Sequence, residues 1–382
     1  MENKKWVAGW GCSISVIGQK FASYAKDMTA RYIIFPTVDG EAVRLHFSNE
    51  YNLEDSTVTK AVIARHVKEE YIDPATNAFV TFDGKPGITI PAGGTAVSDP
   101  LPFSVRAGEE FCVSLYFGEL IHVYTGHGNT GVHIEKYAGI GDWAAAETIP
   151  ENVLLPGAPY VMLNTIDFLC DAKIRAIVAF GDSITSQPWP DYLAHRLYEE
   201  GIRDISIIRK GISGGRVLSD YEQEYLKSFG RAGIKRFERD ICQAGVEKVF
   251  VLHGINDIIH PQFNDTHWYA DLKVPAAEAI IEGYKKYIEI AHRHGIKIYF
   301  GLLIPCARMN RYPDDREPIR RALNDWIRQA PIDGIIDFES AVWNPDNHLE
   351  MLPEYDKGDH LHPSNLGHKK MADSIPLELI QE

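Results

Sequence analysis

Four short clusters in the second half of the chain hold residue types that can do chemistry together: Gly181-Asp182-Ser183-Ile184-Thr185, Gly211-Ile212-Ser213-Gly214-Gly215, Gly254-Ile255-Asn256-Asp257 and Gly358-Asp359-His360-Leu361-His362-Pro363. A serine hydroxyl is a poor nucleophile until an imidazole takes its proton, and a carboxylate on the other ring nitrogen holds that imidazole in the right tautomer. Asp359 and His362 stand three residues apart, so one turn can present both. Negative charge on an acyl oxygen needs fixed donors; backbone N–H groups at a close-approaching glycine such as Gly214, and the uncharged amide of Asn256, are of that kind. Two serines compete for the nucleophile's place. Gly211 to Gly215 fits the G-x-S-x-G elbow, which requires a helix directly behind the serine, yet Arg216 to Tyr221 does not read as a helix start. Asp182, the neighbour of Ser183, reads as a helix cap.

Regular elements must place these clusters. From Lys173 onward strands alternate with helices: strands at Arg175 to Phe180, Asp204 to Arg209, Lys248 to His253, Lys297 to Ile304 and Gly334 to Phe338, and helices at Pro190 to Glu200, Gly230 to Ala244, Pro275 to His294, Arg316 to Gln329 and Asn365 to Ile380. That alternation predicts a doubly wound, flavodoxin-like parallel sheet of five strands. Such sheets bind ligands beyond the carboxyl ends of their strands, near the point where strand order reverses, and the first three clusters lie there. Strand order 2-1-3-4-5 would set the second and third clusters on either side of Ser183. The chain from Ala30 to about Asp167 has a different pattern, of period two, rich in β-branched and aromatic residues and punctuated by turn signals. It predicts an all-β sandwich of jelly-roll type, including a hairpin at Asp39-Gly40. The expected domains are 1–170 and 171–382.

The length, 382 residues, suits two domains that each bury a core. With 39 Lys and Arg against 53 Asp and Glu the net charge is −14, which repels phosphate backbones and anionic lipids, so neither nucleic acid nor membrane is an expected partner. No segment approaches the ~18 apolar residues of a membrane-spanning helix. The N-terminus lacks the apolar stretch of a signal peptide, and the five cysteines are scattered without a C-x-x-C pair. Both features predict a cytoplasmic protein, or a secreted one whose leader has been removed. Histidines crowd the second half, but zinc needs three or four converging ligands, and His360-x-His362 alone falls short. No metal or cofactor is expected. Trp189, His267, Trp268 and Tyr269 could form an aromatic rim or simply pack between loop and helix.

The four clusters, in this order and the first three at predicted strand ends, resemble the GDSL or SGNH family of serine esterases and acylhydrolases over roughly residues 173 to 382. The resemblance implies Ser183 as nucleophile, His362 as general base, Asp359 as its orienting carboxylate, and Ser183, Gly214 and Asn256 as oxyanion-hole donors. Arg209-Lys210 stands where family members often carry Asn, which touches none of the five positions. The first half is similar to the sandwich domain preceding the catalytic domain in one branch of the family, on its Trp-containing opening, Phe82-Asp83-Gly84-Lys85-Pro86 and Ile90-Pro91-Ala92-Gly93-Gly94. Members of that branch are often carbohydrate esterases. The implied function is hydrolysis of short acyl esters, acetyl above all, on a small molecule or oligosaccharide. The alternatives are a lipid, aryl or thioester acylhydrolase, a transferase using the same acyl-enzyme, and a carbohydrate-binding protein on a retired site. Homo-oligomerisation stays open.

Overall fold

The period-two segments of the first half form two antiparallel sheets. In one, Lys4–Gly11, Leu163–Asp171, Gly40–Ser48 and Thr95–Val97 follow one another, and Leu101–Val105 also pairs with Gly40–Ser48. In the other the order is Lys136–Ile140, Met28–Ile34, Phe111–Phe117, Lys60–Lys68, Tyr71–Phe79. Phe111 of the second sheet meets Phe103 and Phe168 of the first at ring-centroid separations of 5.6 and 6.0 Å, so the inner faces share one aromatic core. The computed structural model describes residues 3–17, 23–128, 135–157, 159–222, 224–261, 273–309 and 315–382. The chain divides into two compact units, Met1–Ala176 with Leu197–Ile208, and Ile177–Arg196 with Arg209–Glu382.

The hairpin expected at Asp39-Gly40 is not formed. The strands on either side of it belong to different sheets, so this Asp-Gly is a crossing between the layers. A Cβ on Gly40 would stand 2.8 Å from the Phe168 Cβ, and the glycine is there for close packing. The tight reversal falls instead at Asp83-Gly84, where Phe82 and Lys85 exchange N–H···O bonds of 2.8 and 3.0 Å.

The second half forms a parallel sheet of β1 (Arg175–Gly181), β2 (Ile205–Gly211), β3 (Val246–Leu252), β4 (Lys297–Gly301) and β5 (Gly334–Ile336), in the order β2-β1-β3-β4-β5. Six of the seven residues of β1 are buried, as a central strand covered on both faces requires. The helices are α1 (Ser183–Ser186), α2 (Trp189–Glu199), α3 (Gly233–Ile241), α4 (Ile255–Ile259), α5 (Ala277–Arg293), α6 (Glu317–Ile327), α7 (Phe338–Val342), α8 (Asn365–Ser374) and α9 (Leu377–Gln381). The expected helix from Asn365 to Ile380 is two helices. Pro376 has no N–H and forces Ile375 out of the helical region (ψ 118°), which stops α8.

One buried cation ties the carboxyl ends of the two strands nearest the serine. Arg236 of α3 donates to the Gly181 carbonyl (2.7 Å) and the Lys210 carbonyl (3.1 Å), and pairs with Asp240 at 2.6 Å. Burial opposes the charge on Asp240, but Arg239, Arg236 and Lys210 hold its carboxyl down to about 2. Loss of Arg236 would leave the Asp240 charge to Arg239, which pairs with it at 2.9 Å from a more exposed position, and breaking a buried pair costs about 3–5 kcal/mol. Arg236→Met is therefore expected to lower the unfolding free energy by about that amount, and Arg236→Met with Asp240→Leu to recover much of it. Denaturant unfolding of both variants checks this.

Candidate active site

Ser183 stands where β1 gives way to α1. Asp182 caps that helix, its Oδ1 accepting from the Ile184 N–H at 3.1 Å, and Ser183 is 7% exposed. His362 arrives from 179 positions further along the chain. Its Nε2 lies 2.8 Å from Ser183 Oγ and its Nδ1 2.7 Å from Asp359 Oδ2. A carboxylate can only accept, so Nδ1 carries the proton and Nε2 is left to accept from the serine hydroxyl. Asp359 Oδ1 accepts from the backbone N–H groups of Leu361 (3.0 Å) and His362 (2.8 Å). Partial burial works against the Asp359 charge, but the bonds from the His362 ring and backbone and from Leu361 outweigh it and hold the carboxyl well below the usual range. The three groups can together deprotonate a serine and return that proton to a leaving group.

The loop after β2 carries Gly214 with φ +75°, a left-handed conformation, and a Cβ there would stand 2.3 Å from the Phe229 ring. The Gly214 N–H has no acceptor among the described residues. Its carbonyl accepts from the Tyr221 hydroxyl at 3.0 Å; that hydroxyl also bonds His260 Nδ1, and Phe229 stacks on His260 at 5.6 Å. Buried Asn256 on α4 donates one amide hydrogen to the Gly215 carbonyl at 3.0 Å, which keeps its second hydrogen for another acceptor. Its neighbour Asp257 accepts from the N–H groups of Val217 (2.7 Å) and Leu218 (3.1 Å). Thus α4 holds the loop of Gly214 through two side chains.

Ser213 is exposed, and its hydroxyl meets the Ser186 hydroxyl at 3.0 Å. The next α-helix after it begins at Gly233, so the geometry of the elbow is absent. Arg209 forms an ion pair with Asp191 in the first turn of α2. Trp189 is fully buried, 5.2 Å from the Phe338 ring, and packs in the core instead of on a rim. His267, Trp268 and Tyr269 lie outside the described residues. The other histidines disperse: His253 to Tyr287, His292 to Asp333, His294 to Glu238, His368 to Gln187. Asp257, Tyr221 and Arg236 support the site without having been singled out from sequence. Asp257 had a signal, its place beside Asn256; the other two act on backbone groups supplied by the fold.

Asp182 is buried, and its Oδ2 has no partner among the described residues. Burial pushes its carboxyl up to about 7, and Asp257 adds to this, while the Ile184 N–H, His362 and Arg236 oppose it. A carboxyl raised from 3.8 binds more protons folded than unfolded between those values, so its contribution to stability is full below about 4 and is lost as pH rises through about 7. Asp182→Asn keeps an acceptor for the cap and does not ionise. The difference in melting temperature, wild type minus variant, is expected to fall between pH 4.5 and pH 7.5, as thermal melts at both would read.

The GDSL-like Lipase/Acylhydrolase family has a profile that matches residues 179–370. Similar solved structures include a GDSL-like lipase from Bacteroides thetaiotaomicron (19% identity, 54% of this chain and 88% of that one, TM-score 0.39). Others are an acetyl xylan esterase (17%, 54% and 100%, 0.39) and a carbohydrate esterase family 3 protein from Talaromyces cellulolyticus (17%, 55% and 97%, 0.39). No curated protein matches the chain.

Proposed function

The chain belongs to the GDSL-like Lipase/Acylhydrolase family and is an ester-hydrolysing enzyme, and from that premise we propose that it removes short acyl groups, acetyl above all, from a carbohydrate through an acyl-enzyme on Ser183. The observation that carries the reading is the unbroken hydrogen-bond chain Ser183 Oγ, His362, Asp359. Ser183 Oγ attacks the acyl carbon as His362 Nε2 takes its proton, and Asp359 stabilises the imidazolium. The tetrahedral oxygen is met by the N–H groups of Ser183 and Gly214 and the second amide hydrogen of Asn256. His362 then protonates the departing alcohol oxygen. Water, deprotonated by His362, adds to the acyl-enzyme, and its collapse releases the acid and restores Ser183.

Two features support a small acyl group on a large polar alcohol. The sandwich preceding the hydrolase resembles the branch whose members are often carbohydrate esterases. The side chains of His362 and Asp359 are 22% and 49% exposed, which leaves the alcohol side of the serine open to a hydrated partner. A long-chain lipid would need an apolar channel to repay its desolvation.

Initial rates on p-nitrophenyl acetate and p-nitrophenyl octanoate test the reading. Acetate is the expected preference, and a preference for octanoate would move the assignment to lipid acylhydrolase. Ser183→Ala and His362→Ala are each expected to lower turnover by about 10⁴- to 10⁶-fold and Ser213→Ala far less. Full activity in His362→Ala would remove the triad. Asn256→Ala is expected to cost about 10²- to 10³-fold in kcat with a small change in KM, because its free amide hydrogen is needed only when charge has formed.

A further inference from the structure

The loop that carries His362 holds a second carboxylate–imidazole pair. Asp356 Oδ1 accepts from the N–H groups of Gly358 (2.8 Å) and His360 (3.0 Å), and its Oδ2 bonds His360 Nδ1. Asp359 treats Leu361 and His362 in the same way, one oxygen on two backbone donors and the other on Nδ1. The loop is closed at its base by Lys357 N–H to the His362 carbonyl (3.0 Å) and Ser364 N–H to the Tyr355 carbonyl (2.7 Å). His360 stands in it with φ +60°, a left-handed conformation that a non-glycine residue adopts only where its surroundings hold it there. With Nδ1 taken, Nε2 has no partner among the described residues, and the side chain is 38% exposed. The imidazole is therefore oriented, and its outer nitrogen is available to solvent.

The direction of the reaction decides what comes near it. The acyl oxygen points to Gly214 and Asn256, whereas the alcohol oxygen must take its proton from His362 Nε2, so the alcohol leaves over the loop that carries His362. The hairpin Trp343–Asn344/Asn347–Met351 precedes that loop in the chain. Its Glu350, ion-paired with Arg308 at 2.8 Å, is within electrostatic reach of His360, and its Trp343 stacks on His348 at 3.9 Å. We propose that His360 is a specificity residue for the alcohol half of the ester, its Nε2 hydrogen-bonding a hydroxyl of a polyhydroxylated alcohol while His362 works on the scissile bond. This rests on the esterase reading above.

An O-acetylated xylo-oligosaccharide and p-nitrophenyl acetate form the same acetyl-enzyme, but the aryl alcohol has no hydroxyl to offer. His360→Gly removes the imidazole and suits φ +60°; His360→Asn tolerates that conformation and keeps a polar group. The expected result is that the ratio of kcat/KM for the sugar ester to that for the aryl ester falls about tenfold in His360→Gly, as loss of one hydrogen bond allows. Partial recovery of that ratio in His360→Asn is also expected. An unchanged ratio in both variants, including equal losses on the two esters as a loop buttress would give, overturns the inference alone. Absence of Ser183-dependent acetate release from either ester in the wild type overturns the esterase reading and the inference with it.

Discussion

The contact between Ser183 and His362 joins positions 179 residues apart at 2.8 Å, and much of the second half of the chain is arranged around that distance. Closing so long a loop has an entropy cost that no single hydrogen bond offsets. The sheet meets it collectively: β1 delivers the serine at its carboxyl end, and the turn of Asp359 and His362 is made rigid locally by carboxylate bonds to successive amides. Proton transfer is steep in distance, so a displacement of about 1 Å at either end could cost about 10²-fold in rate.

Around this contact lies an unusual density of buried polar groups. Arg236, Asp240, Asp182, Asn256 and Asp257 are all buried, and each holds a backbone group of a loop at the site or balances one that does. A buried ion is costly unless its bonds are made, and here the bonds go largely to main-chain carbonyls and amides at the strand ends and in the loops beside the serine. Arg236, Tyr221 and Asn256 thereby fix the peptide planes of Gly181, Gly214 and Gly215. Catalytic preorganisation and polar satisfaction are the same set of hydrogen bonds.

Local signals were readable where the physics is local. The alternation of strand and helix, and the first three clusters at strand ends, follow from period and from Gly and Pro placement. The break before α9 was also available, in Pro376. Helix α5 shows the limit. Its buried face includes Ala277, Tyr284 and Ile288 beside Ile280, Gly283, Tyr287 and Ala291, while Ala279, which fits the same spacing, is exposed. A helical period tells which residues share a face and leaves the width of the covered arc to the neighbours.

By itself the sequence determined the family, the class of both halves and the inventory of groups able to do acyl chemistry, because each depends on residue type, order and short-range periodicity. Tertiary structure alone decided which Asp-Gly turns a hairpin and which crosses between sheets. It alone put Trp189 in the core and brought Arg236 and Tyr221 to the carbonyls they hold. The reason is common to all of these. A hydrogen bond or a packed ring depends on distances of a few ångströms between residues far apart in the chain, and no one-dimensional pattern encodes which distant partner will be there.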